Sequence, residues 1–207
     1  MKLTQEDIEG LDVALNEATV LGFEVSAQDR VAAATFEVLT LPEQGNPPSD
    51  SRVLFLFAPI GRIAASFRLG RWDDGTAPVV PFSIDQLPGV VQDFGGQPIY
   101  GWEFFDIQQK NLWQQTERLS LDCSWEAGGK SHTLTLFQGG YNKHLDICLW
   151  FDDFIIYDPK GHEIELANLI AAGKRWWDGL YSGDPRTDGH GILPLTKTSA
   201  APPHSCG

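Results

Sequence analysis

The chain has 207 residues, of which 42% are hydrophobic and 21% are charged, so it can bury a full core without disulfide or metal cross-links. Its 28 acidic and 15 basic residues give a formal net charge of −13, which disfavours binding to nucleic acid or to anionic membranes. The three sparse cysteines are typical of a reducing compartment, and the N-terminus lacks the apolar core of a secretion signal. We therefore expect a soluble, cytoplasmic protein.

Residues 4–21 are predicted to form the first helix. The apolar residues that recur at helical spacing are Ile8, Leu11, Leu15 and Ala18. Thr4 followed by Asp7 has the spacing of a capping box, which predicts the start of the helix at Thr4. Gly22 is the predicted stop, because glycine commonly ends helices.

Strand patterns follow the first helix. Residues 31–41 are rich in apolar and β-branched residues, which predicts a strand. Residues 43–51 have the composition of a loop. Residues 53–57 and 63–69 are predicted to pair as a hairpin about a turn at 58–61, because that turn contains Pro59 and Gly61 between two apolar runs.

The middle of the chain predicts one short helix and three strands. Residues 85–94 favour a helix, since Pro88 would lie in its first turn, where a missing N–H group costs little. Residues 100–105 are predicted to form a strand. Residues 119–125 and 133–137 are predicted to pair as a second hairpin, because a glycine-rich turn separates them.

The last elements are two strands and a helix. Residues 144–151 and 154–157 alternate in polarity and predict strands, and residues 165–181 carry an apolar stripe that predicts a helix. Gly173 lies on this stripe, so we expect close packing against another element at that point. Residues 182–207 are rich in Gly, Pro, Ser and Thr, which predicts a loop-like tail.

Together these elements predict an α+β fold, in which a mainly antiparallel sheet packs against about three helices in a single domain over residues 1–181. An internal duplication is a further hypothesis. Residues 52–94 and 132–173 both read as a hairpin, an Asp-Asp pair, a short strand and a helix. If the duplication is real, the domain has two similar halves.

Two pairs of adjacent aspartates suggest a metal site. The pairs are Asp73 with Asp74 and Asp152 with Asp153. Clustered carboxylates hold hard cations such as Mg²⁺ or Ca²⁺, so convergence of the two pairs would create a binding site. The alternative is that these aspartates are turn residues, since neighbours on a strand point to opposite faces and Asp is common in turns.

A second candidate site comprises His144, Asp146 and Cys148, which alternate along one predicted strand and share a face. A cysteine with a histidine and an acid has the composition of a nucleophilic site. Residues two apart on a strand are, however, separated by about 6.5–7 Å, which exceeds hydrogen-bond distance. The alternative is a polar sheet face that contains one buried thiol.

Trp176 and Trp177 are the candidate partner-binding residues. They follow Lys174 and Arg175 on the last predicted helix, and Trp and Arg are enriched at the centres of protein interfaces. The alternative is that Trp176 covers the core while Trp177 lies half-exposed at the helix edge.

Two functional hypotheses follow. The chain contains none of the common phosphate-binding, nucleophile-elbow or zinc-protease motifs, which favours a non-enzymatic protein that binds a basic protein partner, in the manner of an inhibitor or antitoxin, without a cofactor. The alternative is a metal-dependent enzyme or metal-binding domain that holds Mg²⁺ or Ca²⁺ at the paired aspartates.

Overall fold

A computed structural model describes residues 2–95, 97–99, 101–107 and 112–188. In these residues the chain forms a six-stranded antiparallel sheet and three α-helices, which confirms the predicted α+β class. The helices are α1 (Gln5–Leu15), α2 (Leu87–Gln92) and α3 (Leu166–Ser182). The strands are β1 (Thr19–Ser26), β2 (Val31–Glu37), β3 (Arg52–Leu69), β4 (Leu121–Ser124), β5 (His132–Gly140) and β6 (Lys143–Tyr157).

The sheet is organised around β3 and β6. The strand order is β1-β2-β3-β6-β5, and β4 pairs with β3 outside this path. β6 follows one edge of β3 over almost its whole length. The opposite edge pairs with β2 as far as Phe57 and with β4 from Arg62, so two short strands share the edge of one long strand.

The first helix is shorter than predicted. α1 ends at Leu15, Glu17 adopts a left-handed φ of 61°, and β1 begins at Thr19. Ala18 is buried as predicted, but it belongs to the turn between the two elements. Gly22 lies within β1, beside a register shift, so the predicted stop at this residue is wrong.

The predicted N-terminal cap of α1 is confirmed. The backbone N–H of Asp7 donates to Thr4 Oγ1 over 3.2 Å, and the backbone N–H of Thr4 donates to Asp7 Oδ2 over 2.9 Å. The hydroxyl of Thr4 donates to the same carboxylate, and these bonds lower the pKa of Asp7. Two N–H groups that the helix itself leaves unpaired are thereby satisfied.

The hairpin predicted for residues 53–57 and 63–69 is wrong, because both segments belong to the continuous strand β3. The ladder between β3 and β6 shifts its register between Ile60 and Arg62, which places a β-bulge at Gly61 in the segment that was predicted to be a turn. Residues 144–151 and 154–157 are likewise parts of the single strand β6.

The second predicted hairpin is also wrong, because β4 pairs with β3 whereas β5 pairs with β6. The turn between β4 and β5 passes directly over β3: a Cβ atom at Gly61 would lie 2.3 Å from the carbonyl oxygen of Gly129. The described part of residues 100–105 forms no strand, although Phe105 makes one bridge to Leu134. These pairings depend on contacts between distant segments, which local pattern does not report.

The predicted loop and the predicted short helix are observed, whereas the internal duplication is not. The loop at 43–51 is confirmed, and the short helix predicted at 85–94 is observed as a 3₁₀ turn, Ile84–Gln86, followed by α2. The internal duplication is not shown, because residues 52–69 form one strand whereas residues 132–157 form two. In the predicted tail, residues 185–187 form a 3₁₀ turn, and residues 189–207 lie outside the described part of the chain.

The main core lies between the sheet and the helices. Residues on both faces of β6 are buried. Leu11 of α1, Leu169 of α3 and several sheet phenylalanines belong to one large apolar cluster. The predicted close approach at Gly173 is confirmed, since a Cβ atom there would lie 2.7 Å from Ala14 Cα of α1. A smaller apolar cluster covers the other face of the sheet around Trp113 and Cys148.

Candidate functional site

His144, Asp146 and Cys148 share one face of β6, as predicted, but that face is covered. His144 is 1% exposed; its Nδ1 lies 3.2 Å from the carbonyl oxygen of Gly70, and among the described residues its buried Nε2 atom has no hydrogen-bond partner. Asp146 forms a 2.5 Å ion pair with Arg68 of the neighbouring strand. Burial lowers the pKa of His144 and raises the pKa of Asp146. These groups form an enclosed polar cluster between the sheet and the segment that follows β3.

Cys148 has an apolar environment, unlike His144 and Asp146. Its thiol accepts a hydrogen bond from Thr135 Oγ1 over 3.6 Å and is packed beside Ala64 and Trp113. Burial raises the pKa of Cys148 to about 12, so the sulfur stays protonated at neutral pH. A nucleophilic cysteine needs the thiolate form, and the observed surroundings instead resemble those of a packing residue.

The two aspartate pairs lie at different positions along the length of β3. Asp153 stands opposite Ala58 on β3, whereas Asp73 and Asp74 follow the end of β3 at Leu69, about 36 Å further along an extended strand. Asp73 forms an ion pair with Arg71, and Asp74 accepts hydrogen bonds from Thr76. In the part of the chain that the structure describes, no three His, Cys, Asp or Glu side chains are grouped to hold a metal ion. The structure does not bring the pairs together.

Asp152 instead accepts hydrogen bonds from the turn between β4 and β5. Its Oδ2 atom accepts from the N–H of Gly129 over 2.7 Å, and its Oδ1 atom accepts from the N–H groups of Lys130 and Ser131 and from the Ser131 hydroxyl. The Gly129 N–H and then the Ser131 hydroxyl contribute most to lowering the pKa of Asp152 to about 2. Both carboxylate oxygens are thus occupied by donors, which leaves this residue poorly disposed to bind a cation.

Replacing Asp152 with Asn is expected to destabilise the fold by about 1 kcal/mol at neutral pH, because the turn loses a charged acceptor that is partly screened by solvent. The folded pKa of about 2 is below the usual unfolded value, so this contribution is present above about pH 4 and is lost as the pH falls towards 2. Urea melts between pH 2 and 7 measure the effect. Glu126→Gln, an equal charge change in the same exposed turn, is the control; equal losses in both variants would contradict the assignment.

Trp176 and Trp177 occupy different environments. Trp176 is fully buried in the interior, whereas Trp177 is half-buried and lies at the line where α3 meets α1. The indole N–H of Trp177 donates to the carbonyl oxygen of Val13 over 3.1 Å, and its ring packs edge-on against Trp176 at 4.9 Å. Trp177 is therefore held in one orientation from both sides.

Trp177 is part of a groove of about 380 Å³, which we call the α1–α3 groove. Its lining residues are Asp12, Val13, Asn16, Trp102, Lys174, Trp177, Asp178 and Tyr181. Trp102 is 73% exposed and Tyr181 is 70% exposed, and the Tyr181 ring lies 6.1 Å from that of Trp177. Trp102 and Asp12 were not among the candidates from sequence, because Trp102 falls in a segment predicted as a strand and Asp12 lies in a predicted helix away from its apolar stripe.

The α1–α3 groove carries two acidic side chains, Asp12 and Asp178. Asp12 Oδ1 accepts from the N–H groups of Phe104 and Phe105, and burial together with nearby Glu103 and Glu9 raises the pKa of Asp12. Among the described residues, neither Asp12 nor Asp178 lies within salt-bridge distance of a basic side chain. A cation placed here would offset the desolvation of Asp12.

Two larger clefts lie elsewhere. One, of about 600 Å³, is at the end of the sheet and is lined by Trp72, Gln97, Phe137, Gly139, Gly140 and Tyr141. The other, of about 580 Å³, lies between the loop at 48–53, the turn at 158–160 and the first turns of α3. The second contains polar groups that are already paired, such as Asp50 with Arg52.

Comparison with known proteins yields no relative: none of the family models, curated proteins or solved structures compared with the chain matches it. Within the described residues, the helices are too short or too polar to cross a bilayer.

Proposed function

We propose that the protein is a non-enzymatic binding protein that holds a basic protein partner at the α1–α3 groove. The observation that supports this proposal is the combination, in one groove, of two largely exposed aromatic rings, a fixed half-buried tryptophan and carboxylates that form no ion pair among the described residues. The net charge of −13 favours a basic partner. The free thiols of Cys123 and Cys148 are consistent with action in the reducing cytoplasm.

The aromatic residues supply the apolar part of such an interface. Tryptophan and tyrosine are enriched at binding hot spots, because each covers a large area at little cost in side-chain entropy. Trp177 is already held by Val13 and Trp176, so it loses little further freedom when a partner binds. Trp102 and Tyr181 flank it and would be covered in the complex.

The acidic groups contribute mainly to the rate of association. The Debye length falls from about 10 Å at 0.1 M salt to about 3 Å at 1 M, so long-range attraction between an acidic protein and a basic partner is screened at high salt. The association rate constant should therefore fall steeply with salt, while the dissociation rate constant changes less.

The test is affinity capture from lysate at low salt, followed by binding kinetics on the captured partner. Trp102→Ala combined with Tyr181→Ala is expected to weaken binding at least about 30-fold, which corresponds to roughly 2 kcal/mol. Both residues are exposed, so these changes leave the fold intact. Trp72→Ala, which removes an equally exposed tryptophan outside the groove, is the matched control and should bind as the wild type does.

Two results would contradict the proposal. One is a partner whose affinity is unchanged in the double variant, because binding would then lie outside the groove. The other is capture of no partner together with tight Mg²⁺ or Ca²⁺ binding that is lost in Asp73→Asn and Asp152→Asn, because that pattern would favour the metal-binding hypothesis.

A further inference from the structure

We infer that the α1–α3 groove receives an arginine side chain of the partner, with the guanidinium group against the aromatic rings and its N–H edge towards Asp12 and Asp178. This inference rests on the proposed function and specifies the chemical group that the groove recognises. Three features of the groove support it: the aromatic surface, the negative charge that no described basic side chain pairs with, and the exposure of Lys174.

The aromatic surface is suited to a flat cation. Trp177 and Tyr181 lie one helical turn apart on α3, with ring centroids 6.1 Å apart and planes tilted by 34°. Trp102 lines the same groove from the segment after α2. A cation over the face of an indole or phenol ring is attracted by the ring quadrupole, and tryptophan is the strongest of these partners. None of the described basic side chains occupies this position, because the cation–π contacts of Arg62 and Lys143 lie elsewhere.

The carboxylates in the groove form no ion pair with the basic side chains that the structure describes. Asp12 uses its Oδ1 atom for the N–H groups of Phe104 and Phe105, and among the described residues its Oδ2 atom has no hydrogen-bond donor. Asp178 is exposed, one turn after Lys174 on α3, and forms no salt bridge in the described part of the chain. A ligand that brings N–H donors with a positive charge would supply the partner that these carboxylates lack among the described residues.

Lys174 is the basic residue among those that line the groove, but it does not fill it. Its ammonium group makes neither a salt bridge nor a cation–π contact among the described residues. Lys174 is exposed, and its positive charge would repel an incoming cation. Removing the charge of Lys174 should therefore strengthen the binding of a cationic ligand, whereas removing the charge of Asp12 should weaken it.

Arginine fits these features better than lysine. A guanidinium group is planar, stacks on aromatic rings, and presents several N–H donors along its edge. It can therefore contact an indole face and a carboxylate at the same time. An ammonium group is a compact, strongly hydrated charge, and it would have to exchange one of these contacts for the other.

The test uses short peptides that differ only at one residue flanked by glycines: arginine, lysine, or citrulline, which has the shape of arginine without its charge. Binding to the full chain is followed by NMR, including the indole N–H signals. We expect the arginine peptide to bind about 3- to 30-fold more tightly than the citrulline peptide, and more tightly than the lysine peptide. Asp12→Asn should remove this preference, because the amide oxygen still accepts from Phe104 while the charge is lost. Lys174→Ala should strengthen arginine binding about two- to fivefold.

Equal binding of the arginine and citrulline peptides would overturn the inference, as would a lysine peptide that binds as tightly as arginine or an Asp12→Asn variant that keeps the preference. Backbone NMR spectra of each variant show whether the fold is retained. If capture of the partner depends on Trp102 and Tyr181 but the arginine preference is absent, the proposed function stands and this inference alone fails. If the preference is present but no captured partner depends on the groove, the proposed function fails.

Discussion

Gly61→Ala is expected to lower the free energy of unfolding by about 3 kcal/mol, because the added methyl group has no space to occupy. A Cβ atom at Gly61 would lie 2.3 Å from the carbonyl oxygen of Gly129 and 2.4 Å from that of Gly128. Both obstacles are backbone atoms, so no side-chain rotation relieves them. The turn would have to lift away from β3, and the hydrogen bond from Trp125 N–H to the carbonyl oxygen of Gly61 would be strained.

Urea denaturation with a constant m-value measures this loss. Gly22→Ala is the matched control, since Gly22 also lies in a strand and a Cβ atom there would have no neighbour within 4 Å. Its stability should stay within about 0.5 kcal/mol of the wild type. If the urea midpoint of Gly61→Ala were as high as that of Gly22→Ala, the close contact between the β4–β5 turn and Gly61 of β3 would be contradicted.

Leu11→Ala and Leu169→Ala are each expected to destabilise the protein by about 2–5 kcal/mol, because each removes buried methyl groups and leaves a cavity. Leu11 is fully buried on α1, and Leu169 is buried on α3. Both side chains belong to the large apolar cluster beneath the sheet. Leu21→Ala on β1 is the control, because Leu21 is partly exposed and its loss should cost less than about 1 kcal/mol.

Unchanged urea midpoints in both core variants would mean that α1 and α3 do not pack as described. That result would also bear on the α1–α3 groove, since the groove exists only where these two helices meet. The contact between them is close: Gly173 of α3 lies against Ala14 of α1 with no space for a side chain. Stability of this contact and binding at the groove are therefore expected to be linked.

The features that were predicted correctly from sequence are local ones. The Thr4–Asp7 cap and the extent of α3 follow from side chains within one or two helical turns, where propensity and periodicity act directly. The packing role of Gly173 was also predictable, because a glycine on an apolar stripe leaves room for a neighbouring helix. The α+β class follows from the same patterns, since alternating and helical periods are properties of short segments.

Only the tertiary structure decided which strands pair and which side chains meet. The run through Pro59 reads locally as a turn, but pairing with β6 on one edge and with β2 and β4 on the other keeps it within β3. The same applies to the α1–α3 groove: Asp12, Trp102 and Trp177 come from three distant segments, and no local pattern relates them. Hydrogen-bond pairing and burial stabilise contacts between residues that are far apart in the chain. The pairing of β3 and the assembly of the groove therefore depend on the whole fold rather than on any single segment.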